Sequence, residues 1–308
     1  NLSYYYYGVI QMNSGGTVRN CIIYNNALGS CGGIGVLHAN AIVENCIITN
    51  NAANHQNTGY GGGIRMTDGF VRNCTIFKNW ANDGGGGVYM TGGIISNCII
   101  RGNWRTGGNS SRYGGGIWNA GGTVLNCVVL SNYVTGATSY GGGGVYQTSG
   151  RLRNCLISRN ISTNGGGGVY ITGGIIENCT VVSNLARANN AGGIYMTGGF
   201  VTNSIVYYNK ATGPGNQNFG GSVTNLSYSC GPGLAPVNGN INGAPIFVNT
   251  NLCNYRLVGG SPGVNAGTNK SWMVNGVDLD GLPRIRKGRV DMGAYETPGT
   301  VGGVFMFL

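Results

Sequence analysis

The stretch from Gly86 to Ile100, GGVYMTGGIISNCII, is one copy of a motif that repeats along most of the chain. We align the copies on this cysteine and call its position the spine. The spine recurs at intervals of 25, 28, 24, 29, 28, 24 and 25 residues. The spine residues are Cys21, Cys46, Cys74, Cys98, Cys127, Cys155, Cys179 and Ser204. A period of this length indicates a solenoid or another repeat architecture.

Asparagine occupies two fixed places in every copy, one residue before the spine and five residues after it. The first set is Asn20, Asn45, Asn73, Asn97, Asn126, Asn154, Asn178 and Asn203. The second set is Asn26, Asn51, Asn79, Asn103, Asn132, Asn160, Asn184 and Asn209. Asparagine tolerates left-handed backbone angles and hydrogen-bonds within turns, so the two sets predict two sharp bends per copy.

Between these bends the apolar residues alternate with polar ones. In the fourth copy Ile95 and Ile100 flank the spine and are predicted to point inward with it, whereas Ser96 is predicted to face water. Glu44 and Glu177 occupy the same repeat position as Ser96 and are also predicted to face water. A third strand is predicted ten residues before the spine, after a glycine run. The pattern predicts an all-β fold, a right-handed parallel β-helix (β-solenoid) with three short strands per coil and about nine coils.

The ten cysteines fall into two groups. Seven occupy the spine, where coils about 4.8 Å apart would stack their sulfurs into a ladder. A ladder of buried thiols and a ladder of disulfides are both compatible with this position. Cys31, Cys230 and Cys253 lie outside it, and Cys230 with Cys253 is the candidate disulfide.

The composition changes after residue 229. Six of the seven prolines lie beyond residue 230, and four of the eight acidic residues lie between Asp278 and Glu296. We therefore divide the chain into β-helix repeats, residues 1–229, and a closing section, residues 230–308. The apolar end Val304–Leu308 needs a covering surface. The tyrosine-rich start, Tyr4–Tyr7, predicts an uncovered first coil whose edge pairs with other chains.

The net charge of +10 is spread over many repeat positions. A dispersed basic surface suits loose attraction to acidic polysaccharide or to a cell surface better than a nucleic-acid groove, and simple solubility is the alternative. The sequence lacks any run of eighteen apolar residues, so we predict no membrane span. Because the chain begins inside a repeat, we expect a processed product.

Several pieces of the closing section resemble a known family. They read GAPIFV from Gly243, NYRL from Asn254, GSPGVNAG from Gly260, DLDGLPR from Asp278 and VDMGAYE from Val290. Together with the repeats they resemble bacterial secreted or surface right-handed β-helix repeat proteins of the choice-of-anchor type, which have the pectate-lyase-like superfamily fold. This resemblance implies a bacterial protein that is extracellular or on the cell surface, in a structural or adhesion role.

Carboxylates are scarce in the repeats. The first 209 residues contain only Glu44, Asp68, Asp83 and Glu177. A glycoside hydrolase needs two carboxylates roughly 5–9.5 Å apart, whereas Glu44 and Glu177 are five copies apart, about 24 Å by coil spacing. We therefore predict no catalytic residue and no cofactor.

A weak candidate metal site lies in the closing section. Asp278, Asp280 and Asp291 could together hold a calcium ion. The alternative is a turn whose carboxylates bond the backbone and Arg284.

Aromatic residues lie nine positions before the spine in five consecutive copies. They are Tyr89, Trp118, Tyr146, Tyr170 and Tyr195. An outward stripe of this kind suits glycan binding or packing between molecules, and a ladder of rings that stiffens the sheet is the alternative.

Two functions follow from these patterns. The first is a non-enzymatic extracellular structural protein that self-associates into a fibre or surface layer through its ends and terminal segments. The second is a carbohydrate-binding or polysaccharide-degrading protein that acts on acidic polysaccharide.

Overall fold

The computed structural model describes residues 8–55, 57–105, 113–136, 141–188, 190–213 and 217–298. In these ranges the regular secondary structure is almost entirely β-strand, and its one helical element is a 3-10 turn at Ser271–Met273. The strands form three parallel sheets, A, B and C, wound into about eight turns. The predicted parallel β-solenoid is therefore confirmed. We number the coils by their spine residues, from coil 1 at Cys21 to coil 8 at Ser204.

Sheet A contains two strand segments per coil. The upstream segments are Ile10–Met12, Ile34–Val36, Ile64–Met66, Val88–Met90, Val169–Ile171, Ile194–Met196 and Phe219–Gly221. The downstream segments are Gly16–Arg19, Ala41–Glu44, Phe70–Arg72, Ile94–Ser96, Ile175–Glu177, Phe200–Thr202 and Leu226–Ser227. In coils 5 and 6 the two merge into Ile117–Leu125 and Val145–Arg153. The upstream strand that the sequence predicts thus belongs to the same sheet as the strand before the spine.

Sheets B and C each receive one strand per coil. Sheet B contains Ile22–Tyr24, Ile47–Thr49, Thr75–Phe77, Ile99–Arg101, Val128–Leu130, Leu156–Ser158, Thr180–Val182 and Ile205–Tyr207. Sheet C contains Ala27–Leu28, Ala52–Ala53, Trp80–Ala81, Trp104–Arg105, Tyr133–Val134, Ile161–Ser162, Leu185–Ala186 and Lys210–Ala211. The strands of sheet C are too short to show alternation, so the sequence pattern did not predict them.

Coils stack with equivalent residues in register. In sheet B, Ile76 pairs with Ile100, and Ile100 pairs with Val129. The same alignment holds in sheet C, where Trp80 pairs with Trp104. Because like residues lie above like, each repeat position forms a continuous ladder along the shaft.

The bend between sheets A and B is the predicted asparagine turn. All eight asparagines of the first set have left-handed backbone angles, with φ between 50° and 55°. At the bend between sheets B and C, the left-handed residue instead precedes the second asparagine, as Asn50 and Lys78 do. The second bend therefore lies where the sequence predicts it, and its left-handed residue is the one before the asparagine.

The second set of asparagines forms a ladder inside the solenoid. Asn132 Nδ2 donates to Asn160 Oδ1 at 3.0 Å and to the Ile100 carbonyl at 2.9 Å. Asn132 Oδ1 accepts from the backbone N–H of Asn103 at 2.9 Å. Each amide therefore satisfies backbone groups at the bend and connects neighbouring coils. These contacts explain why asparagine recurs at this position.

The spine residues form a second interior ladder. Cys46 to Cys179 are buried, whereas Cys21 in coil 1 is exposed. The Cys74 N–H donates to Cys98 Sγ at 3.4 Å, and Ser204 Oγ accepts from the Cys179 N–H at 3.1 Å. Ser229 extends the ladder, because its Oγ accepts from the Ser204 N–H at 3.3 Å. All ten cysteines are free thiols.

Beyond Cys230 the chain caps the core and then covers one side of the solenoid. Leu234 is buried in the interior cluster. Phe247, Tyr255, Leu257 and Met292 pack in a second cluster with residues of sheet B. Phe247–Asn249 and Asn254–Leu257 form an antiparallel pair. The closing section is therefore a layer on the outer face of sheet B.

Candidate functional site

The outer face of sheet B differs between the two ends of the solenoid. At the position one residue after the spine, Ile22, Ile47 and Ile99 are 64%, 40% and 42% exposed. At the same position in coil 8, Ile205 is 1% exposed because the closing section packs on it. We call the uncovered set the amino-terminal stripe. It consists of Ile22, Ile47, Thr75 and Ile99.

The first asparagine set follows the same division. Asn20, Asn45, Asn73 and Asn97 are exposed, whereas Asn154, Asn178 and Asn203 are buried. The buried three donate to carbonyls of the closing section: Asn154 to Val277 at 2.7 Å, Asn178 to Asp291 at 3.3 Å and Asn203 to Thr268 at 2.8 Å. One repeat position thus serves as a bend along the whole shaft and as a docking contact in coils 6 to 8.

The aromatic residues predicted as an outward stripe form a ring ladder on sheet A. Successive ring centroids lie 4.8 to 5.9 Å apart from Tyr89 to Tyr195. Tyr60 stacks on Tyr89 at 5.0 Å and extends the ladder. Tyr146 and Tyr170 are buried. The rings therefore form the stacked ladder that the sequence left open as the alternative to an outward stripe.

Sheet C contains an aromatic set that the sequence analysis missed. Trp80, Trp104 and Tyr133 occupy successive rungs and are half-buried. The rings of Trp104 and Tyr133 are parallel within 2°, with centroids 5.8 Å apart. A cavity of about 290 Å³ lies beside them and is lined by Tyr133, Ile161 and Arg187, among others. The signal in the sequence is an aromatic residue six positions after the spine in three consecutive copies.

The carboxylates of the repeats do not converge. Glu44 pairs with Arg72 of the next coil at 2.7 Å, and Glu177 pairs with Arg153 at 2.6 Å. Glu177 is buried, so the prediction that it faces water is wrong. Asp68 and Asp83 accept backbone N–H groups of Gly69 and Gly59, at 2.8 and 3.1 Å. Each carboxylate therefore has a separate structural partner.

The candidate metal ligands of the closing section also face separate partners. Asp278 accepts the N–H groups of Asp280, Leu282 and Glu296. Asp280 pairs with Arg256. Asp291 accepts the N–H groups of Asn265 and Thr297. Within the described ranges, no three histidine, cysteine, aspartate or glutamate side chains are grouped to hold a metal ion.

A buried arginine–glutamate pair lies beside these aspartates. Arg284 Nη2 lies 3.1 Å from Glu296 Oε1, and neither side chain is exposed. Burial raises the pKa of Glu296 to about 8, against the opposing effect of Arg284. Arg284 also donates to the carbonyls of Asp291 and Gly293. This cluster joins Arg284 to residues 291–296 of the closing section.

The candidate disulfide is absent, because Cys230 and Cys253 are both free thiols. Cys230 is buried, and burial raises its pKa to about 12. Its thiol is hydrogen-bonded to the Gly243 carbonyl at 3.2 Å. Cys230 therefore serves as a buried packing residue at the base of the closing section.

Comparison with models of protein families, with curated proteins and with solved structures gives no match for this chain. In the described ranges, the chain has no helix with the length and apolar character needed to cross a membrane.

Proposed function

We propose that this chain is a non-enzymatic structural protein of the bacterial cell surface or extracellular space, and that it self-associates. The resemblance of its repeats and closing motifs to secreted β-helix proteins supports the location. The observation that carries the proposal is the difference between the two ends of the solenoid. Among the described residues, coil 1 forms an edge of all three sheets, whereas Leu234 lies in the core at the other end.

The edge at coil 1 has the properties of a pairing surface. Among the described residues, Gly16–Arg19, Ile22–Tyr24 and Ala27–Leu28 each pair with a strand on one side only. Val9, Ile22 and Tyr24 on this coil are exposed apolar side chains. Unpaired strand edges with apolar side chains add further strands readily. This surface supports assembly of copies into a fibre or layer. Tyr4–Tyr7, from which we predicted an uncovered first coil, lie outside the described residues.

Sedimentation velocity across a wide protein concentration range, followed by negative-stain microscopy, tests this proposal. We expect species larger than the monomer whose fraction rises with concentration. Replacing Val9 and Thr17 by lysine places charge on the edge and is expected to shift the distribution to monomer. Phe200→Lys, at an exposed apolar position in coil 8, is the control and is expected to leave assembly unchanged. Monomeric rods at every concentration would contradict the proposal.

The second candidate function is binding of acidic polysaccharide. It is favoured by the parallel rings of Trp104 and Tyr133, the adjacent cavity with Arg187 and the net charge of +10. Aromatic rings beside a cation offer both stacking and charge to such a polymer. Affinity electrophoresis in gels that contain a polyuronate tests this function. Retardation that Tyr133→Ala and Arg187→Ala abolish would support it, and unchanged mobility of the wild-type protein would exclude it.

A further inference from the structure

A cavity of about 440 Å³ lies within the closing section. Its lining residues all fall between Gly259 and Pro298, so it shares none of them with the cavity beside sheet C. We call it the basic pocket, because Arg286 and Lys287 are among its lining residues. Cavities that hold small organic ligands have volumes of about 300–1,000 Å³. The basic pocket is therefore large enough for one small organic molecule.

The two cations of the basic pocket lie on a tight turn. Lys287 and Gly288 both have left-handed backbone angles, with φ of 49° and 85°, and Arg286 pairs with Arg289 across them. These are the angles of a two-residue hairpin turn. The side-chain amide of Asn265 is oriented to donate to the carbonyls of Arg286, at 3.2 Å, and of Arg289, at 3.3 Å. The backbone under both cations is thus fixed by the fold.

Two further side chains hold this turn. Asn269 Nδ2 donates to the Gly288 carbonyl at 2.8 Å. The guanidinium of Arg289 donates to the Gly267 carbonyl, also at 2.8 Å. A loop that is ordered before its ligand arrives loses less conformational entropy on binding. The turn therefore presents its cations in a prepared arrangement.

The positive charges of Arg286 and Lys287 are not neutralised by neighbouring side chains. The structure describes all eight acidic residues of the chain, and four of them pair with other arginines. None of these eight carboxylates lies within ion-pair distance of Arg286 or Lys287. Asp291 also lines the pocket, and its two oxygens accept the N–H groups of Asn265 and Thr297, each at 2.6 Å. Two positive charges and one negative charge leave the lining with a net charge of +1.

The charge and the apolar part of the lining together indicate the ligand. A net charge of +1 is balanced by one carboxylate, whereas a phosphate group carries about −1.5 to −2 at neutral pH. A guanidinium such as that of Arg286 binds a carboxylate with two parallel hydrogen bonds. The pocket is also lined by Val264, Pro283 and Ile285. These apolar side chains match the C–H face of a compact ring.

We propose that the basic pocket binds a carboxylate attached to a compact organic ring, as in a uronate sugar. A free acid sugar and a unit of an acidic polysaccharide both present this group. The proposal is independent of self-association, and it concerns a different site from the rings and cavity of sheet C.

An NMR titration of the full-length protein with sodium galacturonate tests this assignment. We expect saturable shifts of the backbone amide signals of Gly260, Lys287 and Gly288, and no such shifts with galactose, which lacks the carboxylate. Arg286→Gln and Lys287→Asn are each expected to weaken binding about tenfold, because each removes one charged hydrogen bond. Asparagine is used at position 287 because it tolerates the left-handed angle.

Arg19→Ala and Arg187→Ala are the matched controls. Each removes one positive charge, from an exposed position in coil 1 and from the cavity beside sheet C, respectively. Neither variant should change the affinity for galacturonate. Spectra that otherwise match the wild type show that all four variants remain folded.

Titration with trigalacturonate distinguishes the two sources of the carboxylate. Tighter binding than that of the monomer identifies a polymer unit as the ligand, and weaker binding identifies a free acid sugar. Shifts that do not saturate, or that galactose reproduces, would overturn the proposal. Equal binding of inorganic phosphate would also overturn it, because the pocket would then not select a carboxylate. An equal loss of affinity in Arg19→Ala or Arg187→Ala would show that general charge attraction or the other cavity binds the ligand.

Discussion

The two halves of sheet B use the same repeat positions in different surroundings. In coils 1 to 4 the outer face is exposed, and Glu44 and Arg72 form a surface ion pair. In coils 6 to 8 the closing section covers the face, and the equivalent Glu177 and Arg153 are largely buried. Trp272 lies beside Arg153, whose guanidinium is 4.8 Å from the ring. A repeat position therefore specifies the direction of a side chain, and the covering layer determines its exposure.

The interior, in contrast, is the same in both halves. Asn79 in coil 3 and Asn160 in coil 6 each accept two hydrogen bonds from the preceding asparagine and donate to a carbonyl of the preceding coil. The difference between the halves is thus confined to the outside of the solenoid, and four experiments test this division.

The largest effect is expected in the asparagine ladder. Asn79→Ala and Asn160→Ala each remove the acceptor of a buried backbone N–H, one hydrogen bond of the preceding amide and the donor to a buried carbonyl. Each unmade bond costs about 1–3 kcal/mol. We expect both variants to lose more than about 3 kcal/mol in urea unfolding and to agree within about 1 kcal/mol. A large difference between them would show that the interior is not equivalent in the two halves.

The next effect compares two isoleucines at one repeat position. Ile205→Ala removes side-chain atoms from a buried cluster, and we expect a loss of about 2–4 kcal/mol. Ile22→Ala removes atoms that are largely exposed, and we expect a loss below about 1 kcal/mol. Thermal and urea unfolding measure both variants. Equal losses would mean that the closing section does not stabilise the face it covers.

The third effect is the pH dependence of the closing section. The pKa of Glu296 is about 8 in the folded chain and 4.5 in its ordinary state, so the folded protein retains a proton that the unfolded chain releases. This contribution to stability is complete below about pH 4.5 and is lost as the pH rises through 8. We expect a loss of about 2 kcal/mol between about pH 6 and pH 7.5.

The variant Glu296→Gln isolates this contribution, since glutamine is similar in shape and does not titrate. Its unfolding free energy is expected to vary less than that of the wild type over the same pH range. Glu44→Gln is the control, because Glu44 lies outside the closing section. A wild-type stability that rises with pH across this range would contradict the buried, protonated state of Glu296.

The smallest effect compares the two ion pairs. Glu44→Gln disrupts an exposed pair, so we expect a loss below about 0.5 kcal/mol that disappears at high salt. Glu177→Gln leaves Arg153 partly buried without its counter-charge, and we expect about 1–2 kcal/mol that persists in salt. Measuring both variants at low and high ionic strength distinguishes the two cases. Equal salt dependence would show that the covering layer does not exclude water.

Much of the fold could be predicted because repetition makes local rules visible. A left-handed asparagine before every spine residue marks the bend between sheets A and B, and the prediction holds in all eight copies. The inward direction of residues such as Ile95 and Ile100 is equally local, since alternate side chains of a strand point to opposite faces. The strands of sheet C escaped prediction because two residues cannot display a period.

The candidate sites were less predictable because they depend on contacts between distant residues. The aromatic residues on sheet A were correctly placed in register, but their exposure depends on packing between rings. Asp278, Asp280 and Asp291 are close in sequence, yet each turns to a different backbone or arginine partner. The candidate pair Cys230 and Cys253 had no repeat position to define its geometry.

The sequence by itself determined the period of the solenoid, its first bend and the direction of each side chain, because these depend on backbone preferences repeated in every copy. Only the tertiary structure decided which part of the outer face is covered. The contacts of the closing section join residues more than a hundred positions apart, such as Asn154 with Val277 and Thr180 with Ala294. A local pattern contains no information about such contacts, since they depend on where the folded layers meet.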